Sequence, residues 1–381
     1  MPRVLVTEFI SSTGPRSKGT VKSYWDLVVE GFSMAHTAAK VLKEAGADVY
    51  ITLNSAFENI RLPFKMIVVK DYEDYLGVLE KHASLVDYVI LIAPPKELIE
   101  LAKIVKDKTL GPTYNYIQLF SNKKNTFLFL KEHDILVPKT VFLRKESTTN
   151  VPYPVIVKPI DMAGSAGITL AKSHEQLKYA ISYAFQNTFL DEVAVQEYLV
   201  GIHASISVIS NGQEIIFLSN NIQLIKTDSK GHLKYYGGIT PLKNKSLHEK
   251  SMDLACKIVK ICKGLKGYFG LDLVWVNWKP YIVEINPRLT TSFLGLAEIF
   301  GADLGKLMLY SVGEKVEAEA KVDVKNVGYA YYVISEKKRE ILSNERILSV
   351  GAAKKNIVLG KASTISKAIL RINKLRSYNR V

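Results

Sequence analysis

The stretch "YIVEINPRLTTS", residues 281–292, decides the fold, because a largely apolar strand there ends in functional groups. Tyr281–Ile285 is rich in the β-branched and aromatic residues that favour strands. Within five residues it brings a carboxylate at Glu284, an amide at Asn286, a proline and a guanidinium at Arg288. Polar groups concentrated where a strand ends predict a ligand site rather than a piece of core.

The preceding strand, "GLDLVWV" at 270–276, is predicted to pair with "PYIVEIN" at 280–286 as a hairpin. Asp272, Glu284 and Asn286 have the same parity, so one strand face could carry all three side chains. This requires an odd-length turn, because an even-length turn in regular register would place Asp272 on the opposite face. Two carboxylates and an amide oxygen on one face suit Mg²⁺, which prefers hard oxygen ligands. A surface hairpin with solvated acids is an equally open alternative.

Length and composition limit the class of protein. The 381 residues, 48% of them apolar, predict two or three packed units. No apolar run approaches the roughly 18 to 20 residues of a membrane span, and the first residues lack a signal-peptide layout, so a cytoplasmic protein without a membrane partner is expected. Two cysteines are too few for a disulfide framework, and seven scattered histidines disfavour a His-based metal site.

The formal charge of +14 is concentrated near the end of the chain. From Arg346 onward there are nine Lys or Arg residues and no acid. A solvated C-terminal face is the favoured interpretation, and a functional basic patch beside a polyanion is the alternative.

The pattern of elements changes along the chain. Residues 1–112 alternate apolar strands with helical stretches, which predicts a doubly wound domain with a parallel sheet. Residues 113–310 mix helical and antiparallel-strand patterns, so a multidomain protein of α/β and α+β parts is expected. The basic segment 311–381 is predicted to pack back on the rest.

Two further segments suggest nucleotide binding. In "PVIVKPIDMAGSAGI", Lys158 at the end of a strand could reach a phosphate, and Gly164 and Gly167 would let main-chain N–H groups approach its oxygens. The segment is neither a Walker A motif nor a Rossmann fingerprint, and an ordinary tight turn is the alternative. The strand "VAVQEYLVG" could line an adenine slot, although a core strand is the favoured interpretation of this segment taken alone.

The order of these motifs resembles the ATP-grasp superfamily of ATP-dependent ligases over residues 113–310. That order runs from "SNKKNT" through "IVKP", the glycine loop, "QEYLVG" and "GLDLVW" to "VEINPR". The resemblance implies an ATP-grasp fold after the N-terminal domain, with a small nucleotide-clamping lobe at about 122–195 and a larger metal-binding lobe at about 196–310.

The resemblance also implies roles for individual residues. Lys123 and Lys158 would contact phosphates, and Arg288 would lie beside the transferred phosphoryl group, with Lys158 and Arg288 as the catalytic cations. Asp272, Glu284 and Asn286 would hold Mg²⁺, or alternatively Mn²⁺. The nucleotide would contact the glycine loop and the adenine strand through Gly164, Ser165, Gly167, Gln196, Glu197, Tyr198 and Leu199. Lys124 is an alternative to Lys123, and the ribose contact is unassigned.

The implied chemistry is the activation of a carboxylate by ATP. Phosphorylation gives an acyl phosphate with a good leaving group, which an amine then attacks, releasing ADP and phosphate. The segments "VTEFISSTG", "YYGGITP" and "EINPRLTTS" are similar to an archaeal group that includes tyramine-glutamate ligases, so glutamate and a small amine are the leading substrates. The acceptor site would then be lined by Glu8, Ser12, Tyr236, Gly237, Gly238, Thr290 and Thr291. A loop cap, a turn and solvated hydroxyls are the respective structural alternatives.

Two other functions stay open at this point. One is an ATP-grasp ligase for a different carboxylate and amine. The other is a non-catalytic nucleotide-binding protein whose basic tail contacts a nucleic acid or a protein, although nucleic acid is the disfavoured partner. A homodimer is a further alternative for the assembly.

Overall fold

The computed structural model of the chain describes residues 1–14, 21–145, 149, 151–315, 327–335, 341–351 and 353–377. Over these ranges the strands form one parallel sheet of four strands, one antiparallel sheet of four and one antiparallel sheet of eight. The predicted class, a parallel-sheet domain followed by an α+β part, is confirmed. No helix in the described ranges has the length and apolar character to cross a membrane.

The N-terminal domain is a parallel sheet with helices on both faces. Its strands, in the order β3-β2-β1-β4, are β1 (Arg3–Glu8), β2 (Asp48–Asn54), β3 (Lys65–Val69) and β4 (Tyr88–Ile92). Its helices are α1 (Phe9–Thr13), α2 (Val21–Glu44), α3 (Tyr72–Leu85) and α4 (Pro95–Val105). Alternate residues of β1 enter different cores, Val4 and Val6 on one face and Leu5 on the other. Burial on both faces explains why the strand is a continuous apolar run.

The small lobe follows. It contains β5 (Thr140–Arg144), β6 (Val155–Pro159), β7 (Thr169–Ala171), α7 (His174–Gln186) and β8 (Glu192–Glu197). The two helices before it, α5 (Tyr114–Phe120) and α6 (Lys123–Glu132), bury residues in the cores of the N-terminal domain and of the large sheet. The strands are ordered β5-β8-β6-β7, so β7 is an edge strand. Helix α7 covers one face of this sheet through Val155, Val157, Val193 and Val195. Because side chains alternate, Lys158 and Gln196 lie on the opposite face.

The large sheet has the order β13-β12-β9-β10-β11-β14-β16-β15. Its strands are β9 (Ile202–Ser210), β10 (Ile215–Thr227), β11 (Leu233–Thr240), β12 (Gly267–Val276), β13 (Lys279–Asn286), β14 (Tyr329–Ser335), β15 (Glu345–Leu348) and β16 (Asn356–Ala362). The accompanying helices are α8 (Lys245–Ile261), α9 (Ser292–Phe300), α10 (Ala302–Tyr310) and α11 (Ile365–Ser377). Helix α8 packs on β9 and β12 in one core, and α9 and α10 pack against the N-terminal domain in another.

The basic C-terminal segment is part of the large sheet. Strand β14 pairs with β11, and β16 pairs with both β14 and β15. The buried Glu345 carboxylate accepts two hydrogen bonds of 2.7 Å from Arg371 and one from the Tyr331 hydroxyl. Arg346 pairs with Glu298. Since several cations of this segment have internal partners, the hypothesis of a tail reserved for a nucleic acid loses support, while the domain boundary at residue 311 stays a prediction.

Candidate active site

The turn between β12 and β13 differs from the expected one. It has two residues, Asn277 and Trp278, and both have positive φ values, 48° and 63°. Positive φ at both central positions is the requirement of the type I′ turn that joins tightly paired strands. The expectation of an odd-length turn is therefore wrong, and an even-length turn in regular register would separate the predicted ligands.

A β-bulge restores the common face. The pairing is regular as far as Leu273 opposite Ile282, and it then shifts so that Asp272 lies opposite Glu284. Val283 is the extra residue of the bulge, which changes the register by one. The expectation that the two carboxylates share one face of the hairpin is thus confirmed, with the bulge as its cause.

The carboxylate of Asp272 is the centre of a small polar network. It accepts hydrogen bonds from the Asn286 amide at 3.0 Å and from the Gln223 amide at 2.8 Å. Burial and the neighbouring Glu284 charge raise the pKa of Asp272 to about 7, against these hydrogen bonds. Two carboxylates held this close favour a bound cation.

The donor set fits a hard divalent cation. The described residues contain no cluster of three or more His, Cys, Asp or Glu, so the available donors are the two carboxylates and the Asn286 amide oxygen. The amide nitrogen of Asn286 faces Asp272, and the oxygen makes no hydrogen bond to any described residue. Few protein oxygens with space for phosphate oxygens and water are what Mg²⁺ takes, and Mn²⁺ shares this preference.

The adjacent lysines Lys123 and Lys124 point to different partners. Lys123, the first residue of α6, donates to Glu284 Oε1 at 3.0 Å and to the Met162 carbonyl, and its side chain is 7% exposed. Lys124 pairs with Glu192 at 2.7 Å and is 34% exposed. Of the two, Lys123 therefore lies with the hairpin carboxylates.

The second predicted lysine lies near the first. The Lys158 ammonium donates to the Gln196 side-chain oxygen at 3.0 Å, and the Gln196 amide in turn donates to the Thr140 hydroxyl at 2.8 Å. Burial and the charge of Lys123 lower the pKa of Lys158 to about 8. Two buried ammonium groups near one another make this end of the site favourable for an anion.

A narrow cleft lies between the small lobe and the large sheet. Both lysine side chains line it together with mainly apolar residues: Thr126, Phe127, Leu130, Val137, Thr140, Phe142, Ala194, Gln196, Ile282 and Val283. An apolar slot with two cations suits a planar ring joined to a polyanion.

The glycine loop, residues 161–168, presents main-chain donors. Gly164, Ser165 and Gly167 all have positive φ values, 67°, 64° and 73°. Their N–H groups make no hydrogen bond to another described residue, although Ala166 and Ile168 close turns within the loop. Successive N–H groups left without partners in a tight loop can receive phosphate oxygens.

The adenine strand offers fewer main-chain groups than the sequence suggests. The Glu197 N–H donates to the Lys139 carbonyl at 2.8 Å, and the Tyr198 N–H donates to the Pro154 carbonyl at 3.1 Å. The N–H of Leu199 makes no hydrogen bond within the described ranges. Among the N–H groups of these three residues, Leu199 is therefore the one left to bind a base edge.

Arg288 lies between the hairpin carboxylates and the N-terminal domain. Its guanidinium donates to the Leu289 carbonyl at 3.0 Å and forms no ion pair within 4.0 Å of a described acid. Its charge nevertheless acts on four carboxylates, those of Glu284, Asp272, Glu30 and Glu8. A partly buried cation without a direct ionic partner is suited to bind an anionic ligand.

Two carboxylates of the N-terminal domain face the same region. Glu8 ends β1 and accepts from the N–H groups of Ile10 and Ser11 at 3.1 and 2.7 Å. Burial raises the pKa of Glu8, and it also raises the pKa of Glu30 on α2, while the Arg288 charge opposes both shifts. The Glu30 carboxylate makes no hydrogen bond within the described ranges, and the charges of Lys355 and Arg288 act on it.

Some predicted acceptor residues are used elsewhere. The Ser12 hydroxyl is fully buried and donates to Thr52, so the structure gives it a role inside the N-terminal domain. Tyr236 lies beneath Arg376 of α11, at 4.6 Å from the ring centroid. A side chain added at Gly237 or Gly238 would collide with Tyr332, which explains both glycines by packing.

The two threonines after the hairpin have different surroundings. Thr290 shares its hydroxyl with Tyr268 and Ser292 at 2.9 and 2.8 Å. The Tyr235 hydroxyl donates to the Tyr332 hydroxyl at 3.3 Å. Burial raises the pKa of Tyr235, and Tyr332 and Glu30 add to this while Thr291 opposes it. Thr291 therefore lies near Tyr235 and Glu30, whereas Thr290 supports the loop.

The comparisons with known proteins fit this geometry. A family model described as the ATP-grasp domain matches residues 120–292. The tyramine-L-glutamate ligase of Methanocaldococcus jannaschii is 30% identical over 301 residues, which cover 77% of this chain and 84% of that protein. The chain belongs to the ATP-grasp family. The resemblance predicted from the motif order is confirmed.

Solved structures show the same ATP-grasp fold. An ATP-grasp superfamily protein of Archaeoglobus fulgidus aligns with a TM-score of 0.67 at 22% identity, over 95% of this chain and all of that one. The biotin carboxylase domain dimer of the Hydrogenobacter thermophilus 2-oxoglutarate carboxylase, solved with MgADP, aligns with a TM-score of 0.71 at 16% identity. That alignment covers 98% of this chain and 89% of that one.

Sequence reasoning missed three residues of this ATP-grasp site. Gln223 is a single amide in a strand, with no pattern that points to Asp272. Glu30 reaches the site only because α2 packs beside the end of β1. Tyr235 precedes the predicted Tyr236, and a bulge next to the Gly237–Gly238 pair shifts the register of β10 and β11 at this point. The paired glycines were the available signal, since glycine in a strand often marks a bulge.

Proposed function

We propose that this protein joins the carboxylate of glutamate to a small primary amine, using ATP and releasing ADP and phosphate. The ATP-dependent ligation of a carboxylate to an amine is the class that its family relatives support. The observation that carries the proposal is the convergence of Lys123 with Glu284, beside Lys158, at the end of an apolar cleft. Such a site can hold a nucleotide triphosphate and its cation together.

The reaction begins with transfer of the γ-phosphoryl group of ATP to a carboxylate oxygen. The bond to the leaving ADP breaks as a P–O bond to the carboxylate forms, giving an acyl phosphate. Lys123 and Lys158 stabilise charge on the phosphate oxygens, and the N–H groups of the glycine loop bind the same oxygens. Mg²⁺ held by Asp272, Glu284 and Asn286 would neutralise further charge on the nucleotide.

Arg288 and the carboxylates of the N-terminal domain are proposed to bind different groups of the two substrates. Arg288 can bind the carboxylate that is activated, because it has no ion pair of its own within the described ranges. Glu8 and Glu30, on the far side of Arg288, can bind an ammonium group. The Glu30 carboxylate would take one proton from the bound ammonium group, and the neutral amine then attacks the acyl carbon. The C–O bond to phosphate breaks, the nitrogen gives its second proton to the departing phosphate, and the amide and phosphate are released. The site therefore has separate places for an anionic and a cationic substrate group.

The first test is ADP release with ATP and Mg²⁺ across a panel of acids and amines. Glutamate and other amino acids are each combined with tyramine and other primary amines. Glu284→Ala should abolish ADP release, whereas Glu192→Ala, which removes the partner of Lys124, should retain it. Stimulation by glutamate with tyramine supports the proposal. Stimulation by a different pair would replace the substrates while keeping the reaction class, and intact ATP binding with no active pair in a wide panel would contradict the ligase assignment.

A further inference from the structure

A hairpin of the large sheet reaches across to the small lobe. Residues 228–232 form the tip between β10 and β11. The Leu170 N–H donates to the Gly231 carbonyl at 2.8 Å, and the Leu233 N–H donates to the Ile168 carbonyl at 3.0 Å. Between them His232 pairs with Thr169 in antiparallel fashion. The tip thus adds a short strand to the free edge of β7.

Side chains secure this contact. The His232 ring stacks on Tyr183 of α7 with centroids 4.3 Å apart. Its Nε2 lies 2.8 Å from the Tyr179 hydroxyl, and its Nδ1 lies 3.2 Å from a carboxylate oxygen of Asp228. Both ring nitrogens therefore have partners, and one of them joins the two lobes.

The close approach is built into the backbone of the tip. Gly231 has a φ of 85°, and a Cβ atom there would lie 2.5 Å from the Leu170 carbonyl oxygen. The Asp228 carboxylate accepts from the N–H groups of Lys230 and His232 at 2.9 and 3.0 Å. Glycine at position 231 allows the backbone of the tip to approach β7, whereas the Cβ atom of any other residue would push the tip away.

The position of the contact links it to the site. Ile168 is the last residue of the glycine loop, and its carbonyl accepts the Leu233 N–H. The tip therefore fixes the end of the loop that leads into β7. The same hairpin carries Gln223, which hydrogen-bonds Asp272 at 2.8 Å. One hairpin therefore fixes both the loop and a candidate cation ligand.

We propose that His232 and Tyr179 are positioning residues. They hold the glycine loop at the position, relative to the cation site, in which its N–H groups bind the β- and γ-phosphates of ATP. The inference rests on the proposed function, because it takes the loop to be the part that contacts these phosphates. Loss of the His232 contact should release the glycine loop at the end where it enters β7, which weakens binding of the phosphates. The residues that line the base slot, such as Phe142 and Ile282, lie outside this contact, so binding of the base should be retained.

The test compares nucleotides and variants in the full-length protein. Dissociation constants for MgATP and for AMP, which lacks the β- and γ-phosphates, are measured by calorimetry. His232→Ala removes the stacking and the hydrogen bond, and Tyr179→Phe removes the hydrogen bond alone. Tyr183→Phe and Lys230→Ala are the matched controls, because neither the Tyr183 hydroxyl nor the exposed Lys230 side chain bonds to a described residue. Amide exchange at Leu170 and Leu233 reports docking of the tip.

We expect His232→Ala to raise the MgATP dissociation constant about tenfold, equivalent to about 1.4 kcal/mol. Tyr179→Phe should raise it about threefold, since one neutral hydrogen bond is lost. AMP binding and both controls should stay within twofold, and exchange at Leu170 should accelerate in the His232 variant. Gly231→Ala should reproduce the His232 result by displacing the tip directly.

Three results would overturn the inference. Unchanged MgATP binding in His232→Ala despite faster exchange at Leu170 would show that docking does not position the loop. Unchanged exchange would show that His232 does not hold the tip. Equal losses for AMP and MgATP would indicate general damage to the lobe. If the wild-type protein bound no MgATP at all, the proposed function itself would have failed, and this inference would fall with it.

Discussion

Replacing Lys123 with methionine should show that Lys123, and not the adjacent Lys124, binds the phosphates of ATP. The substitution keeps the length of the side chain and removes the ammonium group that lies 3.0 Å from Glu284. Lys124→Met is the matched control, since it removes the next ammonium on the same turn of α6, which pairs with Glu192 instead. The two variants change the net charge equally and retain the Asn122 cap of the helix.

The structure sets the size of the effect. A charge-assisted hydrogen bond contributes about 1.5–3 kcal/mol, which corresponds to roughly 10- to 150-fold in the MgATP dissociation constant. The value should lie toward the lower end, because Lys123 must exchange its Glu284 contact for phosphate. Lys124 is 34% exposed, and surface pairs contribute about 0–1 kcal/mol, so its removal should change binding less than about threefold.

Calorimetric titration with MgATP measures the difference directly, with urea unfolding of each variant as a check on folding. Equal losses in both variants would point to a general charge effect at the helix end. A larger loss in Lys124→Met would assign the phosphate contact to Lys124 and refute the geometric argument.

The remaining predictions concern proton linkage, the acceptor side and the C-terminal segment. The pKa of Lys158 is lowered to about 8, and a bound phosphate would raise it, so MgATP binding at pH 8 should be accompanied by uptake of a fraction of a proton. The affinity for MgATP should therefore fall from pH 7 to pH 9, and the proton uptake should be lost in Lys158→Met. Calorimetry in buffers of different ionisation enthalpy measures the proton uptake. Glu30→Gln should raise the KM for the amine at least about tenfold with little change in the KM for ATP, as steady-state kinetics would show. Arg371→Met should lower the free energy of unfolding by about 3–5 kcal/mol in urea titrations, since it leaves the Glu345 carboxylate, which is 0% exposed, without its cation.

Local patterns in the sequence predict the strand face on which the candidate phosphate and cation residues lie. Lys158 and Asp272 lie in strands whose alternation fixes the face of each side chain, so their direction follows from the pattern. The turn was misjudged because a bulge leaves no mark in the alternation itself. Val283 is apolar like its neighbours, and its extra position in the strand becomes visible only from the pairing with β12.

Glu30 could not be predicted as a candidate site residue, because its position relative to Arg288 depends on contacts between distant segments. Glu30 and Arg288 are far apart in the chain and meet only after the N-terminal domain packs on the large sheet. Ser12 has a sequence context like that of a site residue, yet its hydroxyl is used by Thr52. Burial decides between these outcomes, and burial is a property of the packed domains rather than of the local sequence.

The balance of charge explains why a divalent cation is expected before ATP can bind. The groups around the site are four carboxylates and four cations: Asp272, Glu284, Glu8, Glu30, Lys123, Lys158, Arg288 and Lys355. ATP adds several negative charges to a set that already lacks an excess of positive charge. Burial strengthens each repulsion because the local dielectric is low. A cation held by Asp272 and Glu284 would offset both the repulsion within the hairpin and the repulsion between the hairpin and the nucleotide. MgATP, rather than free ATP, should be the species that binds.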